Sequence, residues 1–169
     1  DGACDVVVSG LVLNFIPDLR DALAEMKRVT AAGGTIAAYV WDYADEMEVI
    51  KYFWDAAASL DTAAAHLHEG VRFPVCRPCA LKAAFEEAGL IEVETSPLDL
   101  KAEFVDFEDY WRPFLGGQGP APAYAMSLSQ EQRSALRSKL ESALPFAASG
   151  AISLRARAWA VRGRTRSDA

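Results

Sequence analysis

The sequence predicts an α/β fold in which parallel strands joined by a helix are closed by an antiparallel last strand and interrupted by two long helical excursions. Three observations carry this. The valine-rich run from Asp5 to Val8 has the length and continuous apolar character of a strand buried on both faces of a parallel sheet. A helix-period segment and a second apolar run, Thr35 to Trp41, follow it, and two such strands joined by a helix make a right-handed crossover unit. Ile152 to Val161 instead alternates apolar and charged residues, the period of a half-exposed antiparallel strand.

Taken in order, the first run leads into a small-residue corner, Ser9-Gly10, and an apolar loop before Pro17 opens a helix. That helix, Pro17 to Thr30, places Leu19, Ala22, Leu23, Met26 and Val29 on one face, and Gly33-Gly34 is read as its stop. Asp42-Tyr43-Ala44-Asp45 leaves the second strand and a helix from Glu46 to Ala65 carries an apolar stripe, with His66 to Pro74 closing the excursion. Such a connection is far longer than the usual ~2–6 residues and too aromatic for disorder. Arg77 to Ala88 is a helix ended by Gly89. Ile91 to Leu100 is a strand that Pro97 places at an edge. The second excursion holds a short helix from Asp106 to Arg112, an irregular loop from Phe114 to Tyr124, and a helix from Ser129 to Leu144 whose Ser129 and Gln132 stand in capping-box spacing.

This order of strand, Ser-Gly-Leu-Val-Leu-Asn-Phe, Ile-Pro-Asp, amphipathic helix, Gly-Gly and strand resembles the second half of a class I S-adenosylmethionine-dependent methyltransferase, of the methyltransferase type 11 kind. It corresponds there to the fourth strand, the following helix and the fifth strand, and the similarity can be followed from Asp5 to Arg162. The resemblance implies the second half of a Rossmann-like sheet, with strands ordered fourth, fifth, seventh, sixth. It also implies a single partial domain over residues 1–169, with insertions 44–76 and 102–150 forming a lid over the carboxyl ends of the strands, where ligands bind in such sheets.

By the same resemblance, Ser9, Gly10 and Leu11 match the corner beside the methionine part of the cofactor; an ordinary strand-to-loop corner is the other reading. Asn14, grouped with that cofactor set, points at the substrate or bonds the loop backbone. Trp41, Asp42 and Tyr43 sit at the exit of the fifth strand, where Asp42 orients a nucleophile or a cationic substrate, or caps a turn. His68, with Glu69 or Arg72, makes a base and its orienter, or a plain loop. His66 and His68 are two apart, point in different directions on a helix, and are not read as metal ligands. Trp111, Phe114 and Tyr124, beside Gln118 in Gly116-Gly117-Gln118-Gly119, wall a substrate pocket or form the lid's own small core. Asp42 and His68 are thus the candidate catalytic residues. Trp41, Tyr43, Arg72, Trp111, Gln118 and Tyr124 are the candidate contacts to a small-molecule substrate.

The family's glycine-rich turn, its acidic residue after the second strand and its polar residue after the third have no match, and no Gly-x-Gly-x-Gly occurs. The expectation is an incomplete S-adenosylmethionine site and an inactive piece of a longer protein, since the chain opens inside a strand pattern. Its first strand then lacks a neighbour, which predicts either a homodimer along Asp5 to Ser9 or a chain whose first half is missing.

Length and composition agree with one globular domain. No segment approaches ~18 uninterrupted apolar residues, and the start carries no signal-peptide pattern, so a cytoplasmic protein without membrane contact is expected. The net charge of −7 argues against nucleic-acid binding. Arg155, Arg157, Arg162, Arg164 and Arg166 read as a solvated strand face and terminus. Three cysteines do not make a disulfide framework, and Cys76-Arg77-Pro78-Cys79 lacks the second pair that zinc requires. A redox dithiol and, more generally, a non-catalytic α/β binding or dimerisation module are the alternatives to methyl transfer.

Overall fold

Strand β1 (Cys4–Gly10) pairs in parallel with β2 (Thr30–Trp41), and α1 (Leu19–Val29) joins them. The computed structural model describes residues 1–167. Beyond β2 come α2 (Glu48–Leu60), α3 (Glu69–Arg72), α4 (Pro78–Glu87) and β3 (Ile91–Phe104). Then follow α5 (Phe107–Trp111), α6 (Pro120–Ser127), α7 (Gln130–Ala143) and β4 (Ile152–Arg164). The sheet runs β1-β2-β4-β3, with β4 antiparallel to β2. In the family's strand numbers this is fourth, fifth, seventh, sixth, the order the resemblance implied.

The crossover is built differently from its expected form at both ends of α1. The Asp18 carboxylate, not Pro17, caps the helix by accepting from the Asp21 N–H at 3.0 Å. At the other end Thr30 already has extended backbone, and its Oγ1 donates to the Met26 carbonyl at 2.7 Å. Gly33 and Gly34 therefore do not stop the helix. They form an irregularity inside β2, where the register jumps between the pairs Cys4–Thr30 and Val6–Thr35. Gly33 takes φ +71°, and a Cβ on Gly34 would stand 2.6 Å from Thr30 Cγ2 and 2.9 Å from the Asp5 carbonyl oxygen. Arg164 Nη2 donates to the Gly33 carbonyl at 2.8 Å and Thr165 Oγ1 to that of Ala31 at 2.6 Å, fixing the bulge from the far end of the chain.

The described residues divide into two compact units. The first holds Asp1–Asp42, Phe73–Leu98 and the chain from Arg157. Its core joins Ile36, Ala38 and Val40 of β2 to Leu23 of α1 and to Leu81 and Phe85 of α4. Only one face of the sheet is covered in this way. Thr35, Ala37 and Tyr39, in register with Val6, Val8 and Gly10, lie on the other face, and Val6 and Val8 are 59% and 63% exposed. Among the described residues β1 is the end strand of the sheet, and α1 and α4 cover a single face, so the burial of β1 on both faces that its composition predicts is not met within them. At the opposite end lies β3, as its Pro97 required, although it continues to Phe104.

The second unit comprises Tyr43–Arg72 and Asp99–Ala156. Phe53 and Trp54 of α2 pack with Tyr110 and Trp111 of α5, Phe114, and Ile152 and Leu154 of β4. The expected single helix from Glu46 to Ala65 ends at Leu60, because Asp61 turns its carboxylate to the Ala63 N–H and starts a 3-10 segment, Thr62–Leu67. Residues 114–124 are not irregular throughout: Gly119, at φ +91°, delivers Pro120 to the first turn of α6, whose Ala121 and Ala125 are fully buried. The Ser129 and Gln132 capping box is present, with mutual bonds of 3.0 and 3.2 Å.

Along β4 the buried positions change phase. Ile152, Leu154, Ala156 and Ala158 are buried as the alternation predicted, but further on it is Val161 and Gly163 that are buried. The arginines are paired as a solvated face would be: Arg155 with Glu46 at 2.6 Å, and Arg162 with Glu94 at 2.7 Å. The bulge supplies a test. Gly34→Ala forces a methyl into backbone and a β-branched side chain, and urea unfolding is expected to show a loss of about 2 kcal/mol or more.

Candidate functional site

Parallel pairing brings the ends of β1 and β2 to one edge of the sheet. In the first unit that edge gathers six of the residues singled out above: Ser9, Gly10, Leu11, Asn14, Trp41 and Asp42. Ser9 pairs with Ala38 and Gly10 with Tyr39, and the Leu11 N–H donates to the Tyr39 carbonyl at 2.8 Å. The Tyr39 side chain lies over Gly10, with Cζ 2.6 Å from where a Cβ would be. Gly10 is therefore the residue that lets this ring cross the corner.

Immediately after it, Leu11 has φ +57°. A leucine in the left-handed region costs about 1–2 kcal/mol, and strained residues of this kind concentrate at ligand sites. The chain then makes a 3-10 turn, Leu13–Phe15, which buries Leu13 in the core and leaves Asn14 only 6% exposed. Asn14 Nδ2 is buried without a hydrogen-bond partner in the structure. Phe15 closes the turn edge-to-face on Phe73, with centroids 5.2 Å apart. Asp42 is 2% exposed, and its N–H donates to the Arg157 carbonyl at 2.9 Å. Trp41 is half-buried and pairs with Ala158.

The other candidates belong to the second unit. His68 is half-buried, and its Nδ1 accepts the Gly70 N–H at 2.8 Å, so the neutral ring carries its proton on Nε2. Burial holds its pKa below the ordinary histidine value. Gly70 sits against the Tyr43 carbonyl and Ala44, closer than a side chain would allow. Glu69 is buried, and its Oε2 accepts Trp54 Nε1–H at 2.5 Å, while burial pushes its carboxyl above the usual range. Trp54 in turn faces His68 at 6.3 Å and Tyr124 at 5.5 Å between centroids. Trp111 and Phe114 lie in this unit's core, 3% exposed each, and Phe114 stacks on Phe53 at 4.6 Å. Gln118 and Arg72 are exposed.

Three features had no sequence signal strong enough to find them. These are the left-handed backbone at Leu11, the Tyr39 ring over Gly10, and the buried Trp54–Glu69 pair, whose members are fifteen residues apart. Cys76 is fully buried and Cys79 exposed, and neither forms a disulfide. Among the described residues, no helix is long and apolar enough to cross a membrane.

A family model described as a methyltransferase domain matches residues 1–38, the span of β1, the corner, α1 and most of β2. No curated protein matches the chain in sequence. Among solved structures, a protein of Bacillus halodurans C-125, provisionally named a methyltransferase, matches with a TM-score of 0.54 at 14% identity. That match covers 99% of this chain and 66% of the other. A protein of Anabaena variabilis, provisionally named a methyltransferase from an antibiotic biosynthesis pathway, gives 0.54 at 18% identity over 95% of this chain and 67% of its own. The chain thus spans about two thirds of the length of these structures. What they share with it is the fold, a Rossmann-like mixed α/β sheet of the class the resemblance implied.

Two outcomes test this geometry. Leu11→Gly removes the left-handed penalty at a half-buried position, and chemical denaturation is expected to show stabilisation of about 0.5–1 kcal/mol. Because the Glu69 carboxyl is raised in the fold, its protonated form is favoured there. Its contribution is therefore full below the ordinary carboxylate value of 4.5 and is lost as pH rises through the raised one. Glu69→Gln keeps an acceptor for Trp54, and its melting temperature is expected to match the parent's below pH 4.5 and to exceed it increasingly as pH rises above that value.

Proposed function

We propose that the chain acts in S-adenosylmethionine-dependent methyl transfer to a small molecule and supplies the substrate-facing half of the enzyme. The observation that carries this reading is the family match over residues 1–38 together with the strained, polar corner at the end of β1 that falls inside it. Bound S-adenosylmethionine offers a methyl group on a positively charged sulfur, an already activated leaving group, so the protein's task is positioning and desolvation. The corner suits the methionine end of that cofactor. Asn14 Nδ2 is a buried donor without a protein acceptor, and an oxygen of a bound amino acid would satisfy it.

In this reading Asp42, held through its backbone at the end of β2, orients the nucleophile. Trp41, next to it in the first unit, is one candidate substrate contact; in the second unit Tyr43, Tyr124, Arg72 and Gln118 are others. His68, neutral at pH 7 with Nε2–H outward from its Gly70 bond, presents a donor to a substrate oxygen. The glycine-rich turn and ribose-binding carboxylate of the family have no counterpart in the chain, so cofactor affinity depends on residues beyond these 169.

Calorimetric titration of S-adenosylhomocysteine tests the proposal, using the 169-residue chain and a version extended upstream by a strand and a Gly-x-Gly-x-Gly turn. Binding by the extended chain, weakened about tenfold or more by Asn14→Ala, is the expected result. Binding by neither chain would overturn it.

A further inference from the structure

The second unit holds a cavity of about 460 Å³ between the last turn of α2, α6 and the first two turns of α7, and all its lining residues belong to that unit. The volume lies within the ordinary range of small-molecule sites, about 300–1,000 Å³. Its floor is apolar: Ala57 and Leu136 are buried, and Leu60 beside them is 51% exposed. Its rim is acidic and aromatic, with the exposed carboxylates of Asp61 and Glu131 and the half-buried ring of Tyr124.

The rim charges are left without a counter-charge, although arginines are at hand. Elsewhere in the unit Arg155 pairs with Glu46 and Arg137 with Glu108. Arg133, the other arginine of α7, donates instead to the carbonyls of Ala125 and Leu128, each at 2.9 Å. Among the described residues neither Asp61 nor Glu131 forms an ion pair, and the Tyr124 hydroxyl has no hydrogen-bond partner. Asp61 gives Oδ1 to the Ala63 N–H and keeps Oδ2. Burial raises the Tyr124 phenol above its usual range, and the nearby Asp61 carboxylate raises it further. Helix α2 also ends at the cavity. Its last carbonyls add partial negative charge, and its last turn has no basic side chain to answer them. The positive end of α7 is closed by its capping box and by Glu131 in its first turn.

We propose that this cavity is a binding site for a small organic cation, an ammonium group on an apolar arm. The charge lies between Asp61, Glu131 and the face of Tyr124, and the arm lies on Ala57, Leu60 and Leu136. Other occupants satisfy only part of the lining. An anion meets two unpaired carboxylates, and a neutral apolar molecule strips water from them with nothing in return. A bare metal ion lacks ligands, since among the described residues no group of three His, Cys, Asp or Glu side chains could hold one. An ammonium satisfies the carboxylates, gains cation–π attraction from the tyrosine, and carries its arm onto the floor. Tyr124 is one of the candidate substrate contacts, so on the methyl-transfer reading the cavity narrows the substrate class to amines. The binding site itself does not depend on that reading.

Amide NMR titrations with phenethylamine, phenethyl alcohol and hydrocinnamate separate the charge from the apolar arm. The amine, protonated at pH 7, is expected to bind the 169-residue chain and the version extended upstream with a dissociation constant on the order of 1 mM or below. The alcohol is expected to bind about tenfold more weakly and the carboxylate more weakly still. Shifts are expected at residues 57–61 and 124–136. Glu131→Gln and Asp61→Asn are each expected to weaken the amine about fivefold and to leave the alcohol unchanged, a split that a merely structural role would not produce. Both positions are exposed, and Asp61→Asn retains the acceptor for the Ala63 N–H. Ala135→Trp, at an exposed position lining the cavity, is expected to abolish binding of amine and alcohol alike with far-ultraviolet circular dichroism unchanged. Equal affinity for amine and alcohol would overturn the proposal. So would shifts centred elsewhere, affinity that survives the two carboxylate variants combined, no binding at about 10 mM, or loss of binding in the extended chain. None of these readouts involves cofactor, so they stand or fall separately from the titration of S-adenosylhomocysteine.

Discussion

The register between β1 and β2 is the constraint on which the rest depends. Two parallel strands can share an edge for ligands only if their ends arrive together, and here they do so despite unequal lengths. The bulge at Gly33-Gly34 absorbs the extra residues of β2 near its start, so that Gly10 meets Tyr39 at the other end. Glycine is required at Gly34 because the chain folds back against Asp5 and Thr30 there. The corner that holds Ser9, Leu11 and Asn14 is thus positioned by a packing event at the opposite end of the strand pair.

Much of this was legible in the residues. The valine run, the amphipathic face of α1 and the alternation of β4 each carry a pattern that marks its element, while the strand order was implied only by the family resemblance. The glycines of the bulge were misread because a glycine pair after a helix has a strong local meaning, while its meaning here comes from a strand thirty residues away in sequence. Helix α6 was hidden for another reason: its buried positions are alanines between prolines, too weakly apolar to show a period. The composition of β1 predicts cover on both faces because composition reports burial demand, not supply, and among the described residues only α1 and α4 answer that demand.

The candidate site divides in the same way. The corner after β1 was recognisable from its place at a strand end, but its distinguishing property was not. Leu11 takes a backbone conformation that leucine seldom adopts, and nothing in the letter L announces it. His68 and Glu69 were adjacent candidates, yet their environments separate them. The histidine is kept neutral with one nitrogen committed to the backbone. The glutamate is withdrawn from solvent by an indole from the preceding helix. Two neighbours in sequence thus present one donor and one hidden acid, a difference that only packing creates.

The change of phase along β4 has a consequence for cooperativity. Ile152 and Leu154 belong to one core and Val161 to the other, and Arg164 and Thr165 hold the bulge of β2. One strand therefore contributes side chains to both hydrophobic cores, so a substitution that frays β4 withdraws packing from each of them at once.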